Sequence, residues 1–269
     1  MDYLSVCAIV KDENDYLTEW IEYHKLVGVE RFFIYDNDSR IPIAQTLAQD
    51  ISDGVVIVIP IQGHPKQLKA YKDCVSRFGM NTVWMAFIDI DEFICPHRLD
   101  DLRILLRGYE EFGALGIHWQ MFGPSGHSVR PPGLQIENFL LKAPVVFPDW
   151  TKYIKTIAQP SHVKAIPNPH FCDYKGVGCV NEKGVPFYGP SSEPVSVETV
   201  QLNHYLTRSR SEFEEKVARG SGDGGRRTLE IYELAQNHFG EMKDESILRF
   251  AEKLRARLPV DTYPAFPAK

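Results

Sequence analysis

Trp84-Met85-Ala86-Phe87-Ile88-Asp89-Ile90-Asp91-Glu92-Phe93-Ile94-Cys95-Pro96 is the stretch on which the fold turns. Bulky apolar residues run up to Asp89, resume after Glu92 and stop at Pro96, which reads as a buried strand carrying three carboxylates at its end. Burying an isolated ionised carboxylate is prohibitively costly, so a cation should stand beside them. A divalent ion that also holds a phosphate meets that need. The plainer reading is that these acids cap a helix or meet an arginine, and Asp-x-Asp alone does not choose.

The residues on the N-terminal side give the stretch its setting. Met1 to Val10 reads as a first strand that Lys11 ends, followed by Asp12-Glu13. Tyr16, Leu17, Trp20, Ile21, His24 and Val27 recur at helical spacing, with Asn14 or Asp15 as cap and Gly28 as terminator. Val29 to Tyr35 is a second strand running into Asp36-Asn37-Asp38-Ser39. A short helix carries Ile43, Leu47 and Ile51, Val55 to Ile59 is a third strand, and His64 to Phe78 is a helix before the quoted stretch. Strands alternating with helices predict an α/β fold, a Rossmann-like, mostly parallel sheet flanked by helices. Ligands of such sheets bind at the carboxyl ends of the strands. Three polar clusters should therefore share one rim.

Composition narrows the partners. The 269 residues are 43% hydrophobic and 25% charged, ordinary for a globular chain with a sizeable core. A net charge of -6 argues against a nucleic-acid partner held by its phosphates. The N-terminus lacks the charged and apolar regions of a signal peptide, and no window is apolar enough to span a bilayer. We therefore expect a cytoplasmic location and at most peripheral membrane contact. Five scattered cysteines are expected to be reduced thiols, although Cys172 and Cys179 could pair or bind metal.

Beyond Pro96 the pattern changes. Leu102, Leu105, Leu106 and Tyr109 mark a helix begun near Asp100 or Asp101, and Ala114 to Met121 a strand. Loops rich in Pro, Gly and aromatics follow, with short strands at Tyr153 to Ala158 and His162 to Ile166. A strand Val195 to Leu202 ends at Asn203-His204-Tyr205. Ser209 or Ser211 caps a helix that Gly220 to Gly225 breaks, and helices at Leu229 to Phe239 and Ile247 to Leu258 close the chain. Residues 1–206 are expected to form the catalytic domain. Within it, 1–100 is the nucleotide-binding half and 114–206 the acceptor-side half, and 207–269 is a helical C-terminal extension packed on both.

Several motifs remain open on the residues alone. Asp36-x-Asp38 is no EF-hand, because Ile41 and Leu47 would fill its glycine and glutamate positions. The Gly220 to Gly225 run is either a hinge or a loop closing over phosphates with Lys216, Arg219, Arg226 and Arg227 around it. His204, and less strongly His170, could complement a carboxylate around manganese. Trp119, Phe122, Trp150 and Tyr153 serve either the core or stacking on a sugar face.

Taken together these blocks resemble glycosyltransferase family 92 and related family 2-like bacterial enzymes. The resemblance is carried by Cys7-Ala8-Ile9-Val10-Lys11-Asp12-Glu13, Trp20-Ile21-Glu22-Tyr23-His24, Gly28-Val29 and Phe33-Ile34-Tyr35-Asp36-Asn37-Asp38-Ser39. Phe87 to Phe93, Trp119-x-x-Phe122-Gly123-x-Ser125-Gly126-His127, and His204-Tyr205 followed by Ser209 to Gly220 complete it, in the expected order. It implies a GT-A fold, a nucleotide-sugar donor with a UDP-sugar foremost, and Mn2+ or Mg2+. The acceptor would be a glycan or lipid-linked saccharide, as in synthesis of surface polysaccharide. Asp91 would be the principal metal ligand, Asp89 would face the ribose or a metal-bound water, and His204 would complete the metal site. Lys11, Asp12, Glu13, Asp36 and Asn37 would hold the nucleoside, and Lys155 and Lys216 the diphosphate. An inverting enzyme needs a carboxylate base, for which Glu137, Asp173 and Glu92 all stand open. A nucleotidyltransferase, or a carbohydrate-binding protein that keeps the fold without catalysis, are the competing readings.

Overall fold

The computed structural model describes residues 1–147, 150–220, 224–225, 227–240 and 242–258. Its centre is a ten-stranded sheet. The strands in chain order are β1 (Asp2–Val10), β2 (Arg31–Asp36), β3 (Val56–Pro60), β4 (Thr82–Phe87), β5 (Glu92–Pro96), β6 (Ala114–Met121) and β7 (Leu141–Lys142). They continue with β8 (Ile154–Ala158), β9 (Val163–Asn168), β10 (Phe171–Tyr174), β11 (Cys179–Val180), β12 (Pro186–Phe187), β13 (Val200–His204) and β14 (Met242–Lys243).

The two-residue period of a strand sorts the core into two layers. Leu4, Val6, Ala8 and Val10 of β1, Phe32 and Ile34 of β2, and Trp84 and Ala86 of β4 face one cluster with Leu17, Trp20 and Ile21 of the helix Asn14–Leu26. Their neighbours Cys7, Phe33, Tyr35, Met85 and Phe87 face another, with Ala70, Tyr71 and Cys74 of the helix Gln67–Phe78. A sheet buried on both faces needs strands apolar on both sides, and that is why these segments read as nearly continuous hydrophobic runs.

β3, β2, β1 and β4 pair in parallel. β8 then lies antiparallel between β4 and β6, while β13 runs parallel to β6 and antiparallel to β5. The mixed α/β architecture with a mostly parallel sheet flanked by helices is therefore as expected. The quoted stretch, however, is two strands and not one. Ile88 to Asp91 form a turn closed by Glu92 N–H to Asp89 C=O at 3.0 Å, and β5 leaves the parallel half to join β13. The open edge of β5 is closed by side chains of the first helix. Trp20 Nε1 donates to the Glu92 carbonyl at 2.8 Å, Tyr23 Oη to the Ile94 carbonyl at 3.0 Å, and the Ile94 N–H to His24 Nε2 at 3.3 Å.

Gly28 ends that first helix at φ +101°, and a Cβ there would meet Asp101 Oδ1 at 2.3 Å. The helix start differs from expectation, since Glu13 occupies the cap position without a side-chain bond. All five cysteines are free and buried, so Cys172 and Cys179 form no disulfide. The tail is tied to the body by the β7–β14 pair and by Ile247, Phe250 and Leu254, which enter the first cluster. Among the described residues no helix is long and apolar enough to cross a membrane. Residues 259–269 and residues 221–223 of the Gly220 to Gly225 run lie outside the described residues.

Candidate active site

The carboxyl ends of β1, β2 and β4 open onto one cavity of about 270 Å³. Lys11 and Glu13 follow β1, Asn37 follows β2, and Asp89, Ile90 and Asp91 follow β4. The far wall is Trp119, Trp150, Lys155, Pro169, His170 and His204, and Lys216, Arg219 and Arg227 reach in from the tail.

The register of the sheet builds the acidic turn. Pairing of β13 with β5 sets His204 opposite Glu92, and the Tyr205 N–H donates to the Asp91 carbonyl at 2.8 Å. His204 Nε2 thereby comes within 3.6 Å of Asp91 Oδ2. Lys216 arrives from the helix Arg210–Arg219, held by a Ser209–Glu212 capping box, and its ammonium donates to Asp91 and to the Leu206 carbonyl. Burial would raise the Asp91 pKa, but Lys216, then His204, hold the carboxyl well below the usual range. Burial lowers the pKa of both His204 and Lys216, in each case against the pull of Asp91.

Asp89, two residues earlier, meets a different set. Gln67 Nε2 donates to its Oδ1 at 2.7 Å and Lys155 Nζ to its Oδ2 at 2.8 Å. Glu92 lies beneath, fully buried. It accepts from the Asp89 N–H at 2.8 Å and from Trp119 Nε1 at 2.7 Å, with Lys155 Nζ 3.6 Å away. Burial, reinforced by Asp89 and Asp91, pushes Glu92 up to about 8 against the pull of Lys155. Lys155, despite burial, is raised to about 12 by Asp89 and Glu92.

The donor chemistry for a divalent ion is one carboxylate and one neutral imidazole, Asp91 and His204. These oxygen and nitrogen donors suit manganese or magnesium, and a bound phosphate would add more. Asp89, also expected at the metal, stands apart from this pair in the structure, its two oxygens accepting from Gln67 and Lys155. Among the described residues no group of three His, Cys, Asp or Glu side chains gathers to hold a metal.

A second network braces the rim of the cavity. Glu13 is paired with both Arg208 and Arg219, and Arg219 also donates to the Asp12 carbonyl at 2.8 Å. Burial opposes ionisation of Glu13, but Arg208 and Arg219 prevail and lower its pKa. Arg208, at φ +52°, donates to Gln135 Oε1 at 2.6 Å and lies over the Tyr16 ring at 3.8 Å. Lys11 lines the cavity and makes no ion pair among the described residues.

Other expected residues stand elsewhere. Asp12 faces away, accepting from the Arg40 N–H at 2.8 Å. Asp36 caps its own loop, accepting from the N–H groups of Ser39 and Ile43 at 3.1 and 3.2 Å. Neither lines the cavity. Asn37 does, but its amide is spent on the Ile61 and Gly63 carbonyls at 3.0 and 2.9 Å. Glu137 is ion-paired with Arg255 at 2.7 Å and Asp173 accepts from Tyr188 Oη at 3.0 Å, and neither these two nor the buried Glu92, the three carboxylates expected as base, line the cavity. Phe122 is core, whereas Trp119 and Trp150 line the cavity. Gln67 and Arg208 have no mark in the sequence, because a single glutamine or arginine beside a helix start carries no spacing signal.

Comparison with known proteins matches the glycosyltransferase family 92 model to residues 2–239. A family 92 protein of Oryza sativa subsp. japonica, Os08g0121900, is 33% identical over 132 residues, covering 48% of this chain and 23% of that one. The family 92 protein At1g27200 of Arabidopsis thaliana is 30% identical over 140 residues, covering 48% and 24%. The matched part thus spans about a quarter of the length of these relatives. The crystal structure of S. aureus TarS 1-349 overlays with a TM-score of 0.39 at 15% identity, over 59% of this chain and 47% of that one. The family match extends over most of the sequence, and the chain belongs to glycosyltransferase family 92.

Proposed function

We propose that this glycosyltransferase has a GT-A-type site and moves a sugar from a nucleotide donor, a UDP-sugar, to a hydroxyl of a glycan or lipid-linked saccharide. The donor would lie along the carboxyl ends of β1, β2 and β4, and a divalent ion would be held by Asp91 and His204. The observation that carries this reading is the convergence of three parallel-strand ends on one cavity that also holds the Asp91–His204 pair. The uridine assignment is supported by the family resemblance.

Breaking the bond between sugar and phosphate leaves a diphosphate whose growing charge must be met. A Mn2+ or Mg2+ ion bound there would supply Lewis-acid stabilisation of that charge. Lys216 and Arg219 deliver positive charge to the same side from one helix, and Lys11 adds a cation that has no ion-pair partner among the described residues. Lys155 and Gln67 keep Asp89 fixed at the cavity wall. Trp119 and Trp150 offer flat apolar faces suited to a sugar ring.

The test is transfer from UDP-, GDP- and CDP-sugars to a panel of saccharide acceptors, with and without manganese. Turnover is expected with a UDP-sugar and metal together, and D91N and H204A should each reduce it about 100-fold or more. Full metal-dependent activity in H204A would remove that imidazole from the donor set.

A further inference from the structure

We propose that His170 is the base that takes the proton from the acceptor hydroxyl, an assignment that rests on the transferase reading above. His170 stands between β9 and β10, and it is fixed at two points. Its backbone N–H donates to Asn168 Oδ1 at 2.7 Å, and its ring Nδ1 lies 2.9 Å from the Ile154 carbonyl. A carbonyl can only accept, so Nδ1 carries the proton and Nε2 carries the lone pair. The ring lines the cavity, and Nε2 makes no hydrogen bond among the described residues and is not sealed from solvent.

The other candidates in the cavity are committed. Glu13 is held by Arg208 and Arg219, Asp89 by Lys155 and Gln67, and Asp91 by Lys216 and His204. His64 has interactions of its own and follows β3, beside the loop whose Ile61 and Gly63 carbonyls hold Asn37. His170 is instead on the wall with Trp119. The indole of Trp119 packs against His204 at 4.5 Å and against His170 at 4.9 Å, so the base stands one ring from the Asp91–His204 pair. Its ring neighbours among the described residues are Trp119 and Tyr153.

In the step, the acceptor oxygen bonds to the anomeric carbon as the carbon–oxygen bond to the diphosphate breaks. The bonding pair leaves with the diphosphate, and the hydroxyl proton passes to Nε2, which later gives it to water. Burial and the nearby Lys155 lower His170 to about 4, so the lone pair is free at neutral pH. The diphosphate's negative charge favours the imidazolium as it forms.

The experiment compares wild type, H170A and H170Q for kcat, donor affinity and rescue by added imidazole or formate. Both variants should lose about 100-fold or more in kcat with donor affinity nearly unchanged, and small bases should restore part of the H170A rate. H170Q keeps polarity and size but has no basic nitrogen, so its retention of activity would overturn the assignment. So would an H170A rate near that of wild type, or a loss explained by weaker donor binding. In those cases wild-type turnover leaves the transferase reading intact. A wild type that transfers sugar from no nucleotide donor would overturn that reading and this assignment together.

Discussion

Asp89 and Asp91 are two residues apart and meet separate ammonium groups, Lys155 and Lys216. The sequence required a cation beside these acids, and burial of Asp91 and Glu92 shows why. It did not show which cation serves which acid, because Lys155 comes from β8 and Lys216 from a helix more than a hundred residues on. K155M should remove the ammonium that Asp89 and Glu92 share and lower stability by about 2 kcal/mol, read from urea unfolding. An unchanged midpoint would mean that Lys155 is not holding the pair. His24 gives a pH test away from the cavity. It is fully buried between Trp20, Tyr23 and Phe93, and burial lowers it to about 3 despite the Trp20 carbonyl. The unfolded chain then binds a proton that the folded chain does not, so stability is full above about pH 6.5 and falls as pH drops toward 3. Each pH unit crossed in that window costs roughly 1.4 kcal/mol, so the loss amounts to a few kcal/mol. H24Q should flatten that slope while costing stability at pH 7, and a slope unchanged in H24Q would assign the acid sensitivity to other groups.

Among the elements, most strands were readable from period and apolar content, as Ala114–Met121 illustrates, where strand and expectation coincide. The Trp84 to Pro96 stretch was not, since a run apolar on both sides of Asp89 has no local mark that its second half changes neighbours. β5 crosses to β13, a partner that only tertiary packing supplies, and the first helix then covers its free edge. The Ser209 cap was readable from Ser-x-x-Glu, and the structure gives it a second role, because the helix it starts carries Lys216 and Arg219 into the cavity. S209A should cost about 1 kcal/mol of stability and weaken nucleotide binding several-fold through fraying of that helix. Binding equal to wild type in a measurably less stable S209A would separate the cap from the site.

For the whole molecule, the shared rim of three strand ends was the most legible feature, because a parallel sheet places the ends of its strands on one side. Acids aimed at that rim were less legible. Asp12 and Asp36 belong to the same clusters but turn back to cap loops, and Glu137 and Asp173 meet surface partners. Joint binding of nucleotide and metal at Asp91 and His204 underlies the whole functional reading. Thermal shift of the wild type and of D91N with UDP, GDP and CDP, each with and without manganese, tests it without need of an acceptor. Stabilisation of the wild type by UDP and manganese in combination is expected, with none in D91N. No response to any pair, or an equal response in D91N, would contradict it.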